Sequence, residues 1–248
     1  MSIIYILWLR QLKRYWRSRS RLLGSLGQPL LFLVAMGFGF GPIYQKAGEG
    51  NYIQFLGPGI IAMGIIFTAI FSGIELIWDR QFGFLKETLV APVSRFQIMI
   101  GRTLGGATVA ALQGILVFFI ALVVGFRPVS LALMPLALVF VILISMVFTA
   151  LGTLLATKLS DMHAFPIIMN FLIMPIFFLS GALFPLKGFP APVLALMKLN
   201  PLLYGVDGLR GALVSGAHLG LLTDFAVLSI VSLVFIAIGS YFFSKVEI

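Results

Sequence analysis

Charged residues fall in clusters along this chain and leave six uninterrupted apolar stretches, at 22–45, 50–74, 103–126, 128–157, 162–186 and 225–244. Each is long enough for a helix to cross a hydrocarbon core of about 30 Å, which takes about 20 residues. The stretches are apolar on every side and lack the period-two alternation of strands, which argues against a transmembrane β-barrel. The pattern predicts an all-α polytopic membrane protein with six transmembrane helices at about 22–44, 53–78, 98–125, 131–157, 165–185 and 222–244. Pro29, Pro166 and Pro175 lie inside these spans and predict kinks whose freed carbonyls find partners within the protein. Gly37, Gly39 and Gly41, and Gly101, Gly105 and Gly106, predict close helix–helix approach.

The first 21 residues form a separate unit. At 100° per residue Tyr5, Trp8, Leu12, Tyr15 and Trp16 fall on one arc, and Arg10, Lys13, Arg14, Arg17 and Arg21 fall opposite. This predicts an amphipathic helix lying in the membrane interface with its basic face toward anionic headgroups. Arg19 breaks the pattern, consistent with a helix end near Ser18. A secretory signal is the competing reading, but its apolar core would be about 7–15 residues, shorter than the 22–45 run.

Two connections are too long to be turns. The second, DRQFGFLKETLVAPVSRFQ at 79–97, places Phe82, Leu85 and Leu89 on one helical face until Pro92 stops it, predicting a short amphipathic helix. The fifth, about 186–221, contains two apolar pieces near 192–199 and 202–214, too short to span and punctuated by Pro190, Pro192 and Pro201. These predict re-entrant or interfacial helices.

Composition agrees: of 248 residues 60% are hydrophobic and 10% charged, too apolar for a soluble domain. The net charge of +9 points to topology rather than nucleic acid, because the Lys and Arg residues are unevenly distributed. In the six-span arrangement twelve fall on the side of both termini and five opposite, which places both termini in the cytoplasm. There is no cysteine, hence no disulfide framework or thiol nucleophile. No G-x-x-x-x-G-K-[ST] sequence occurs, so the chain forms no P-loop of its own. His163 and His218 fall on opposite predicted sides, against a two-histidine metal site. Ser160, Asp161 and His163 are triad residue types on one short loop, a poor arrangement for convergent catalysis.

The few strongly polar groups within the spans carry more information, because burying them unpaired costs several kcal/mol. Glu75 precedes Asp79 by one helical turn, near Arg80 and Arg102, and reads as part of a structural ion-pair network, with a proton relay as the alternative. Asn170 lies among Phe165, Phe171, Met174, Phe177 and Phe178, where it bonds across a helix interface or touches a substrate. A Phe and Met lining suits a variable apolar ligand, and equally suits ordinary packing.

The segments DRQFGFLKETLVAPVSRFQIMIGRTLGG (79–106) and FFLSGALFPLKGFPAPVLALMKLNPLLYGVDGLRGAL (177–213), with QFLGPGI (54–60), closely resemble ABC-2 type transporter permeases, especially the drug-resistance type typified by daunorubicin exporters. The resemblance covers about 72 residues directly. It implies that residues 1–21 are a connecting helix and 22–248 the transmembrane domain. It also implies a coupling helix at 79–90 that docks on an ATPase through Phe82, Leu85 and Leu89, with Asp79, Arg80, Lys86 and Glu87 as polar contacts. External short helices would occupy 192–214, where Asp207 and Arg210 are spaced to pair. Phe67, Phe71, Asn170, Met174 and Phe178 would line a central substrate path between two permease chains.

The resemblance further implies a transport subunit without its own catalytic site or cofactor. ATP and Mg would bind a separate ABC ATPase present in two copies, beside a second, identical permease, in the inner membrane of a prokaryote. The cargo read from the apolar spans is an amphipathic drug-like or lipid-like molecule. The alternative within the family is a lipid-linked polysaccharide. Outside it, the alternative is an ATP-independent carrier or channel.

Overall fold

The structure, a computed structural model, describes residues 2–48, 50–84, 88, 93–159, 161–186, 188–214 and 216–244. All regular elements among them are helical. In chain order they are α1 (Ile3–Arg17), α2 (Arg19–Lys46), α3 (Tyr52–Phe71), α4 (Ile74–Gln81), α5 (Arg95–Val124), a 3-10 turn (Leu131–Leu133), α6 (Met134–Lys158), α7 (Ala164–Phe178), α8 (Ala191–Lys198), α9 (Pro201–Val214) and α10 (Leu221–Ser244).

Among the described residues five stretches are long and apolar enough to cross a membrane: Gly24–Lys46, Tyr52–Gln81, Arg95–Val124, Leu131–Lys158 and Leu221–Ser244. The sixth expected span, 165–185, differs. Its helix, α7, has 15 residues, a rise of about 22 Å and short of the hydrocarbon thickness. Pro175 removes a ladder donor near its end, and Leu179 N–H closes back on the Pro175 carbonyl. Ser180 Oγ then donates to the Phe177 carbonyl, and Gly181 turns the chain at φ +71°. Pro166, expected to kink this helix, falls instead in its first turn, where a missing N–H costs nothing.

The core is organised around α3, which neighbours enclose on nearly every side. Small residues make that possible. A Cβ on Gly59 would stand 2.5 Å from the Ala182 carbonyl oxygen, and one on Gly64 2.8 Å from Val117 Cγ2. At Gly57 the Phe126 ring fills the space a Cβ would need. Gly73, in the turn between α3 and α4, and Gly152 of α6 let two backbones meet, since a Cβ on Gly152 would lie 2.5 Å from the Ile70 carbonyl oxygen. By contrast α2 and α10 bury little of their length and present Leu31, Phe38, Leu222 and Leu233 outward.

At the α8–α9 end of the bundle the chain leaving α7 is irregular yet buried, with Ser180, Ala182 and Leu183 fully covered. Buried backbone carbonyls without partners are costly, and side chains from distant segments supply the donors. Asn200 Nδ2 donates to the Ile176 carbonyl at 2.6 Å, Arg210 Nη2 to that of Gly181 at 2.9 Å, and Tyr52 Oη to that of Leu183 at 2.9 Å. Arg210 therefore does not form the expected side-chain pair with Asp207. Its guanidinium reaches into this loop and over the Phe55 ring, 4.2 Å from the centroid. Asp207 accepts instead from the backbone N–H groups of His218 and Leu219, at distances from 2.7 Å to 3.0 Å. One helical turn brings the two side chains near each other, but the unpaired backbone on either side of α9 competes for both.

Candidate functional site: a charged seam beneath an amphipathic cavity

Residues Leu7, Gln11 and Tyr15 form a stripe on α1 with a spacing of four, and that stripe packs on α5 where Gly101 and Gly105 remove side-chain bulk. A Cβ on Gly101 would lie 3.1 Å from Ile4 Cα, and one on Gly105 2.6 Å from Gln11 Cγ. Trp8 Nε1 donates to Thr108 Oγ1 at 3.0 Å and Tyr15 Oη to Gln113 Oε1 at 2.9 Å. Part of the aromatic arc thus packs on protein rather than lipid, a correction to the expected interfacial placement. Tyr5 and Trp16 remain exposed.

The docking of α1 also turns two of its cations inward. On α4 the buried carboxylates Glu75 and Asp79 are four residues apart; on α1 Arg10 and Arg14 have the same spacing, so one helical turn faces another. Arg10 grips Asp79 with two bonds, 2.6 Å to Oδ1 and 2.9 Å to Oδ2. Arg14 lies 3.1 Å from Glu75 and 3.6 Å from Asp79. Arg102 of α5, almost wholly buried, contacts Asp79 Oδ2 at 2.6 Å. A single carboxylate thereby ties together three helices far apart in sequence, with bidentate geometry that favours Arg over Lys.

The sequence reading placed Glu75 and Arg102 in an ion-pair network, and the structure has them there. It missed Arg10 and Arg14, which read as headgroup contacts. The matching four-residue spacing of two cations and two acids was the available signal. Asp79 is corrected in the other direction: held by Arg10 and Arg102 and 4% exposed, it is unavailable as a docking contact. Arg80 is half-buried and its Nη2 donates to the Thr157 carbonyl at the end of α6.

The expected single helix from Asp79 to Val90 is interrupted. The chain leaves α4 at Phe82, and Gly83 at φ +81° reverses it, a conformation that glycine adopts freely. Beyond it, the Phe84 carbonyl accepts a hydrogen bond from Thr88 Oγ1 at 3.0 Å. The Arg10 guanidinium stacks on the Phe84 ring at 3.6 Å, linking this segment to the seam. Phe82 is 78% exposed. Leu85, Lys86, Glu87 and Leu89, the other expected coupling residues, lie outside the described residues.

Beside the seam is a cavity of about 390 Å³ between α1, α2, α3, α4 and α5. Phe67 and Phe71, stacked with centroids 6.4 Å apart, provide an aromatic wall, and Gln11, Gln28, Thr68 and Glu75 provide polar positions. Two of the five expected path residues therefore line one cavity. The other three do not: Asn170, Met174 and Phe178 are on α7, with Asn170 and Phe178 on its exposed side beside Ile167 and Phe171. Phe165, edge-on to Phe71 at 6.4 Å, connects the two sets.

A family profile described as ABC-2 type transporter matches residues 3–214. The transport permease ycf38 of Cyanophora paradoxa is 34% identical over 204 residues, spanning 78% of this chain and 68% of that protein. Its counterpart in Porphyra purpurea is 31% identical over 201 residues, covering 79% and 68%. Nodulation protein J of Rhizobium leguminosarum bv. trifolii is 28% identical over 208 residues, covering 83% and 76%.

Proposed function

Because this chain belongs to the ABC-2 type transporter family, a family of multi-pass membrane permeases that work with an ABC ATPase, we propose that it is the permease subunit of an ATP-driven exporter for an amphipathic drug-like or lipid-like cargo. The observation that carries the cargo reading is the cavity walled by Phe67 and Phe71 and flanked by polar side chains, a composition suited to an apolar body with a polar end. Two copies of a separate ATPase would bind ATP and Mg at the α1 end, which would be cytoplasmic along with both termini in a prokaryotic inner membrane, α7 and the buried segment that follows it together making the sixth crossing. Phe82 and the segment through Leu89 would meet that subunit.

A second copy of this chain would cover the α7 face bearing Ile167, Asn170 and Phe171. An amide exposed beside large apolar side chains is costly in lipid and gains a partner across a helix interface. ATP-driven motion of the coupling segment would be transmitted through Arg10 and Asp79 to α1 and α5, rocking the two permeases between inward and outward access.

The reading is tested by isolating the tagged chain gently from its membrane, identifying what accompanies it and measuring ATP hydrolysis. A P-loop ATPase in equal stoichiometry, lost with Leu85→Asp while the permease stays folded, supports it. Normal export by Leu85→Asp, or flux from the chain alone without any ATPase, overturns it in favour of a carrier or channel. A lipid-linked polysaccharide remains the second cargo reading, and lipid flux against drug efflux in the same vesicles separates the two.

A further inference from the structure

The charged seam uses only part of the basic face of α1. Arg10 and Arg14 turn toward α4, whereas Lys13 and Arg17 are exposed and have no carboxylate within ion-pair distance among the described residues. The sequence carries no acid before Glu49, so no neighbour on α1 itself neutralises them. Together with Ile6, Leu9, Ser18 and Ser20 they border an open concavity of about 880 Å³ on the outer side of α1.

The helical order around this concavity is informative. Tyr5, exposed at 47%, borders the concavity and Trp16, exposed at 77%, lines the adjoining hollow that shares Lys13 and Arg17 with it; the two fall on one side of the helix, with Lys13 and Arg17 in the middle and Arg10 and Arg14 on the other edge. A large aromatic edge, then two cations with no carboxylate partner among the described residues, then a protein-bound edge describes a surface that meets the boundary between acyl chains and headgroups. The direct passage from α1 through Ser18 into the apolar helix α2 keeps the concavity at that boundary.

We propose that this groove binds the headgroup of an anionic phospholipid, its phosphate held by Lys13 and Arg17 and its acyl chains passing Tyr5 and Trp16. A protein partner with an acidic surface would satisfy the two cations but would leave the Tyr5–Trp16 edge in water, whereas a lipid satisfies both at once.

The test uses the full chain in phosphatidylcholine vesicles containing a minor fraction of brominated phosphatidylglycerol or, in parallel, brominated phosphatidylcholine. The signal from Trp16 is taken as the difference in fluorescence quenching between the chain and Trp16→Phe. The expected result is that the anionic lipid quenches Trp16 at a lower mole fraction than the zwitterionic one. That preference should fall about fivefold for each of Lys13→Gln and Arg17→Gln, the Boltzmann equivalent of about 1 kcal/mol per basic residue near an anionic surface. Lys13→Arg should retain it. Both neutralised side chains are exposed, so folding is unaffected by the change.

Equal quenching by both lipids, or an unchanged preference in the double variant, overturns the proposal. So does displacement by millimolar glycerol phosphate under conditions where sodium chloride has no effect, which would make the groove a site for a free phosphate. If the double variant instead loses a co-purifying ATPase while its lipid preference persists, the groove is a protein-docking surface and the lipid assignment fails.

Discussion

Replacing Asp79 by Ala removes the one carboxylate shared by α1, α4 and α5, and the cost can be worked from its three partners. Arg102 has a side chain 4% exposed, so it cannot reach water when its counter-ion is lost. Breaking a buried pair in this way costs about 3–5 kcal/mol. Arg10 is 28% exposed and can swing outward, so its share is closer to the exposed-pair figure of about 1 kcal/mol or less. Arg14 keeps Glu75 and adds little. The total is about 3–6 kcal/mol, dominated by Arg102.

The companion variant Asp79→Leu/Arg102→Met removes both buried charges and fills the volume with apolar atoms. It should recover to within about 2 kcal/mol of the parent. Denaturant titration in mixed micelles measures both, with Trp8 on α1 and Trp78 beside the carboxylate as intrinsic reporters. A loss below about 1 kcal/mol in Asp79→Ala would mean that water or relaxation already solvates Arg102. A double variant no better than the single would mean that the carboxylate stabilises through something other than pairing. Either result would refute the seam as the element that locks α1 to the bundle.

Other positions give independent tests. Gly152→Ala pushes a Cβ against the Ile70 carbonyl oxygen, 2.5 Å away on a backbone that cannot yield, whereas Gly41 in α2 has nothing within 4 Å. The first substitution should cost about 1–3 kcal/mol and the second be neutral or stabilising by up to about 1 kcal/mol, read in the same titration. Gly105→Leu should prise α1 from α5, seen as faster amide exchange in α1 with little change in α6. Asp207→Ala, which deletes the acceptor of two backbone N–H groups, should cost about 1.5–3 kcal/mol and expose the 216–220 connection to protease. Asp224 is fully buried with neither carboxylate oxygen hydrogen-bonded among the described residues. Asp224→Leu should therefore stabilise the chain by about 1–3 kcal/mol, and a loss of stability would point to a partner for that carboxylate.

Much of the architecture follows from the sequence alone, because a span requires little more than about 20 contiguous apolar residues, a local property. The amphipathic first helix, five of the spans and the two short helices between α7 and α10 were legible for that reason. Glu75 and Arg102 could be placed in an ion-pair network because an unpaired charge in an apolar run has few affordable alternatives.

Tertiary structure decided what depends on direction and competition. Arg10 and Arg14 read as lipid-facing because periodicity orders the faces of a helix but does not say what covers each one; Gly101 and Gly105 of α5 settled that by admitting α1. Asp207 and Arg210 have the spacing of a pair, yet broken backbone elsewhere in the fold outbids each for the other. The end of α7 lies beyond a local rule too, since a loop can be buried at that depth only because Asn200, Arg210 and Tyr52, remote in sequence, arrive to bond its carbonyls. A chain's own residues fix which segments can enter the membrane; which polar groups meet there is fixed by whichever distant donors and acceptors the packed helices bring within about 3 Å.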